Sequence, residues 1–284
     1  MSSEPVTLIS LAELLKLPDP EWLIRDLVPL PGITLLYGES GSGKSFVALD
    51  WSLSVATGIS WLDTYDIDNH GTVVYIACEG MSGLKKRAAA WLQQHETVQA
   101  PGDARISFSL RALDLYDADA RDALMATLRQ TYPPQMEYIP EINEFHDQAP
   151  GLKLVVIDTL ARSYRGEDES AAAEMGEFIR NIEVFCHDHG AAVLLVHHTG
   201  KSGRDERGST ALRGACEACF RVEGKKADGQ LVAVTVECDK QKDGPELTVT
   251  ADVHTVTIPS WVMRRDSAGR KQQSAVLVLG DGDE

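Results

Sequence analysis

The 284-residue chain contains no apolar run near the ~20 residues that a membrane-spanning helix needs, so a helical membrane protein is excluded. Its five cysteines, Cys78, Cys186, Cys216, Cys219 and Cys238, are odd in number and show no framework spacing. That excludes a disulfide scaffold and suits a reducing compartment. The first ten residues carry Glu4 and no basic residue ahead of a short apolar stretch, unlike a secretory signal. Positive charge is scarce: 27 Lys and Arg stand against 43 Asp and Glu, a formal net charge of −16. A surface that is basic all over is thereby excluded. These absences predict a soluble, cytoplasmic protein with no membrane partner. What is present is ordinary for a globular chain, 43% hydrophobic and 25% charged, with enough length to bury a substantial core.

Residues 1–30 read as an N-terminal extension, with a helix over 8–17 stopped by Pro18 and Pro20. From there to residue 284 the pattern is that of one α/β unit. Short apolar runs at 33–37, 72–77, 152–157 and 191–196, with a weaker one at 105–110, read as buried strands. Between them, 46–56, 84–94, 119–129 and 170–187 have helical spacing, and Gly58 closes the first of these helices. Residues 131–151 break the rhythm with Pro133, Pro134, Pro140 and Pro150 and read as an exposed insertion. After Gly214 the texture changes to strands joined by turns, at 220–222, 231–238, 247–256 and 276–279. The expected fold is a mostly parallel sheet wrapped by helices, with antiparallel strands added at its C-terminal side.

Gly38-Glu39-Ser40-Gly41-Ser42-Gly43-Lys44-Ser45 fits G-x-x-x-x-G-K-[ST] and lies between a predicted strand and a predicted helix that begins with Phe46. Glycines there let backbone N–H groups turn inward around phosphates, and the helix N-terminus adds its positive dipole. Lys44 would reach the outer phosphates of ATP, and the Ser45 hydroxyl would ligate Mg²⁺. A plain Gly/Ser loop would satisfy the spelling but not its placement between strand and helix.

Ligands in open α/β sheets bind beyond the carboxyl ends of the strands. Three polar residues fall there. Asp158, closing an apolar strand, has the Walker B pattern and would hold Mg²⁺; an N-capping role is the alternative. Glu79 is placed to orient and deprotonate an attacking water, or else is a surface carboxylate. His198 could hydrogen-bond the γ-phosphate. Metal binding by His197 and His198, with His187 and His189 nearby, conflicts with the opposite facing of adjacent strand residues. Cys216-x-x-Cys219 has no partner pair and reads as two small core or loop residues.

This order of motifs, followed by Gly200-Lys201 and Arg207-Gly208-Ser209, resembles the RecA-like hexameric helicases over residues 22–245, in particular the RepA-type helicases of plasmids and their phage-borne relatives. Gly166-Glu167-Asp168-Glu169-Ser170 fits the same group. Asp239-Lys240-Gln241-Lys242-Asp243-Gly244-Pro245 is similar to the K-x-R-x-G-P segment of the wider DnaB-type class. There the resemblance implies that Lys240 and Lys242 contact the γ-phosphate bound by a neighbouring subunit. Lys242 stands where the family carries Arg, so Arg207 or Arg213 is the alternative finger. A solvated hairpin is the simpler reading of both lysines. Lys201, Arg204 and Arg213 lie where RecA-like proteins present a DNA-contacting loop, and a ring that threads a strand needs positive charge only on its pore lining. The resemblance thus implies a homo-hexameric ATP-dependent translocase on single-stranded DNA, a helicase of a phage or mobile element. A phage recombination or strand-annealing ATPase shares the same core. A DNA-independent regulatory ATPase switch is the reading that the acidic charge favours.

Overall fold

The computed structural model describes residues 8–77, 80–95, 101–109, 111–131, 136–139, 144–147, 151–164, 166, 171–198, 210–258, 265 and 268–280, with 136–139 and 144–147 described by backbone alone. The chain starts with a one-turn helix, α1 (Leu11–Leu14), and a hairpin, β1 (Glu21–Ile24) and β2 (Val28–Leu30). Then follow β3 (Gly32–Gly38), α2 (Lys44–Thr57), β4 (Thr72–Ala77), α3 (Met81–Gln94), β5 (Ile106–Ser109) and α4 (Ala118–Thr131). Two short strands, β6 (Met136–Ile139) and β7 (Glu144–Asp147), pair only with each other. The alternation resumes with β8 (Leu152–Asp158), α5 (Leu160–Ser163), α6 (Ala172–His189), β9 (Ala192–His198) and α7 (Thr210–Ala215). Four strands complete the chain: β10 (Ala218–Ala227), β11 (Gln230–Gln241), β12 (Thr248–Thr257) and β13 (Gln273–Leu279).

Among the described residues, nine strands form the main sheet in the order β13-β12-β11-β10-β3-β9-β8-β4-β5. Strands β10, β3, β9, β8, β4 and β5 are parallel, and β10 to β13 continue antiparallel. This is the α/β architecture expected of a P-loop NTPase core. Its parallel strands are apolar on both faces because both are covered. Leu36, Val73, Tyr75, Val156 and Leu194 join a core with Trp51 of α2 and Trp91 of α3. Alternate residues Leu35, Val74, Val155 and Leu195 pack with Met125 of α4 and Phe178, Ile182 and Phe185 of α6.

Four stretches differ from the sequence expectation. The helix over 8–17 shrinks to one turn, held by a capping box between Ser10 and Glu13. It buries none of its residues, and a short helix without a packed face has little to sustain it. Residues 21–30 hold the β1–β2 hairpin, whose Leu23, Ile24, Leu27 and Val28 are buried in the same core as Trp51 and Trp61. Within 131–151, β6 and β7 form an antiparallel pair. Strands β10 and β11 also run well beyond their expected ends. Asp228 and Gly229, with φ of 51° and 77°, supply the positive-φ pair that a tight two-residue hairpin turn requires.

Phe178 is fully buried at the centre of the α6 face. Phe178→Ala should lower the unfolding free energy by about 3–5 kcal/mol, read as a lower urea midpoint at unchanged slope.

Candidate functional site

The carboxyl ends of the parallel strands come level with one another. Gly38 pairs with His198 across β3 and β9, Asp158 with Val196 across β8 and β9, and Ala77 with Asp158 across β4 and β8. The loop after β3 leads directly into α2, whose N-cap is Gly43 at φ 101°, a conformation that side-chain-bearing residues rarely adopt. Lys44 opens the helix and is almost wholly buried, its Nζ donating to the carbonyls of Gly38 at 2.9 Å and Glu39 at 2.7 Å. Burial pushes the Lys44 pKa down to about 8, against the opposing pull of Asp158 and Glu39.

The next residue reaches across the sheet edge. Ser45 Oγ donates to Asp158 Oδ1 at 3.0 Å, and Tyr75 Oη donates to Asp158 Oδ2 at 2.6 Å. Asp158 is buried, so both of its oxygens are fixed by neighbours on α2 and β4. The Ser42 hydroxyl inside the loop is buried and has no hydrogen-bond partner among the described residues. A buried ammonium that makes no ion pair among the described residues, a hydroxyl and carboxylate side by side, and an unpaired loop hydroxyl fit a nucleotide polyphosphate with Mg²⁺. Lys44 and the loop N–H groups would hold the phosphates, with Ser45 and Asp158 holding the metal.

Of the other expected residues, Phe46 is buried beneath the guanidinium of Arg87, 5.4 Å from the ring centroid. Glu39, Ser40 and Gly41 are exposed along the loop. His198 is half-buried and shares the parity of Val196, whose side chain lies in the α2-side core, whereas His197 is fully buried. Glu79, Lys201, Arg204 and Arg207 lie outside the described residues.

The remaining three cations sit away from this edge. Arg213 belongs to α7 rather than to a loop and binds Asp239, through Nη1 to Oδ2 at 3.0 Å and Nη2 to the backbone oxygen at 3.1 Å. Asp239 also accepts from the Tyr37 hydroxyl. Lys240 Nζ donates to the carbonyls of Arg213 and Cys216, each at 2.6 Å, so it caps the last turn of α7, where cations are favoured. Lys242 pairs with Glu217 at 2.8 Å, level with Gly32 at the amino end of β3. Cys216 and Cys219 are both buried free thiols.

Residues 4–204 match the family model described as AAA domain. The chain belongs to the AAA domain family. This is a P-loop ATPase family, and the matched span carries the loop, Asp158 and His198. The AAA domain match ends ahead of α7 and the β10–β13 tail, so Arg213, Lys240 and Lys242 lie beyond it. No helix among the described residues is long and apolar enough to cross a membrane.

Tyr75 is the site residue that the sequence reading passed over. Its signal was there: it is the one hydroxyl-bearing residue in the middle of an apolar strand, two positions from the strand's end. As a positioning residue for Asp158, Tyr75→Phe should weaken nucleotide affinity about tenfold in Mg²⁺ buffer and much less in EDTA, checked by titration calorimetry.

At Lys44 the unfolded chain binds more protons than the folded one between pH 8, where the residue titrates in the folded chain, and its ordinary 10.5. Lys44 should therefore contribute stability that grows with pH across that window, while the buried Cys186 thiol, pushed up to about 12, works in the opposite sense above pH 9 in wild type and variant alike. In urea denaturation at pH 7, 8, 9 and 10 of the nucleotide-free protein, stability relative to Lys44→Met should rise with pH.

Proposed function

We propose that the protein is an ATP-driven translocase on single-stranded DNA, working in the cytoplasm as a homo-hexameric helicase of a phage or mobile element. The observation that carries the ATPase part of this reading is the meeting of Lys44, Ser45 and Asp158 at one sheet edge. In this reading Lys44 holds the outer phosphates, and Ser45 and Asp158 hold Mg²⁺, which stabilises the charge that develops on the transferred phosphoryl group. Glu79 orients a water and accepts its proton, and His198 contacts the γ-phosphate side. Residues 31–284 act as one ATPase unit, and the β1–β2 hairpin within 1–30 packs into its core.

The ring rests on the resemblance and on one geometric support. Lys242 stands at the opposite end of β3 from the chain's own phosphate loop, and Lys240 is turned to the carbonyls of Arg213 and Cys216, which supports a role at a nucleotide bound by another subunit. A head-to-tail contact of that kind closes into a ring when its rotation permits. Lys242, Lys240, Arg207 and Arg213 are the candidates to complete a neighbour's site, and Lys201 and Arg204, with Arg213, to grip the strand's phosphates. The second reading, a DNA-independent ATPase switch that acts on a protein partner, is favoured by the net charge of −16.

ATP turnover measured with and without single-stranded DNA at several protein concentrations separates the two. The translocase should be stimulated by DNA and rise more steeply than linearly with concentration, and Lys44→Ala should abolish turnover. Glu79→Gln should retain ATP binding while losing roughly 10²–10⁴-fold in hydrolysis. Turnover indifferent to DNA sinks the translocase and supports the switch.

A further inference from the structure

A cleft of ≈ 400 Å³ opens beside the phosphate loop, between residues 38–42 and a wall formed by Arg221, Val222, Glu223, Gly224 and Lys226 of β10. The wall exists because β10 runs parallel to β3 from Ala218 to Arg221 and then continues past the loop in its hairpin with β11. Backbones meet there without side chains between them. A Cβ on Gly38 would lie 2.2 Å from the Val222 oxygen, and one on Gly224 would lie 2.8 Å from the Ser42 oxygen. Loop and wall are thus held in register by contacts that leave no room for sliding.

The wall's charge is concentrated at one point. Arg221 is committed to Glu223 and Glu237. Lys226 forms no ion pair among the described residues. The β10–β11 register slips between Lys225 and Lys226, and a bulge of this kind re-aims the side chain it carries. That side chain ends over the middle of the phosphate loop, its Nζ 3.2 Å from where a Cβ on Gly41 would sit. Glu39 is the acidic group on the loop side. With Arg221 held by its two carboxylates, Lys226 and Lys44 are the cations open to an anion at the loop.

We propose that Lys226 is a nucleotide-binding residue that acts in the same chain as the loop, its ammonium taking the α/β-phosphate side of the nucleotide while Lys44 takes the β/γ side. The assignment follows from position: the loop N–H groups cradle the α- and β-phosphates, and Lys226 lies over the mid-loop Gly41. It rests on the ATPase reading above and names a residue beyond the family match. An interaction made with ADP and ATP alike contributes uniform binding, which sets affinity for both.

Titration calorimetry with ADP and with the non-hydrolysable analogue AMP-PNP tests it on wild type, Lys226→Ala, Lys226→Arg and Lys226→Glu, each first checked for an unchanged melting temperature without nucleotide. Lys226→Ala should raise Kd for both ligands by the same factor, about 5- to 20-fold for a solvent-exposed charge-assisted contact. Lys226→Glu should exceed that loss, Lys226→Arg should recover most of it, and added salt should shrink the difference from wild type. Unchanged affinities in Lys226→Ala and Lys226→Glu, with wild type binding both ligands, overturn the proposal and leave the ATPase reading intact. A loss confined to AMP-PNP overturns the α/β placement. Failure of wild type to bind either ligand overturns both readings together.

Discussion

Asp158 accepts hydrogen bonds from two directions at once, from Ser45 at the start of α2 and from Tyr75 two residues before the end of β4. Because the carboxylate is buried, these bonds replace water that it gave up. The pair therefore fixes where α2 begins relative to the sheet. Lys44 precedes Ser45, so the same bonds decide that its ammonium falls on the Gly38 and Glu39 carbonyls. The level strand ends, with Asp158 beside Ala77 and Val196 and Gly38 beside His198, are the frame in which this happens.

Charge is distributed with a logic that the net value of −16 conceals. Three cations of α7 and β11's end are tied down within the fold: Arg213 is paired with Asp239 and Lys242 with Glu217, and Lys240 is hydrogen-bonded to carbonyls at the end of α7. Beside the loop, Lys44 and Lys226 are left without carboxylate partners among the described residues. An acidic protein can thus keep a locally positive phosphate site, since the Debye length of about 10 Å at 0.1 M salt limits how far the acidic surface is felt.

The parallel strands were legible in the sequence because burial on both faces leaves them apolar runs, as in residues 154–157 and 73–77. The phosphate loop was legible because its spelling reflects backbone geometry. Elements whose stability comes from distant partners were not. Leu23 and Val28 read as part of a preface, and only contact with Trp51 and Trp61 makes them core. Helix α7 is short and holds Gly214, and its last turn is completed by Lys240, 27 positions after Arg213. The outer half of β10, with Glu223, Lys225 and Lys226, carries the composition of a loop, since that half projects beyond the parallel strands and is solvated. Tyr75 was hidden for a further reason: its partner is 83 residues away.

The place of β3 in the sheet order has a consequence for the chain during its synthesis. It is the first strand of the main sheet to leave the ribosome, yet its neighbours are β9 and β10, made last among the parallel strands. At about 5–20 residues per second, roughly 10–40 s pass before both exist. Through that interval the apolar residues Ile33, Leu35 and Leu36 have no ladder to enter, and the phosphate loop has no wall. The nascent chain therefore carries an apolar strand unpaired for most of translation, the kind of exposed segment on which chaperones act.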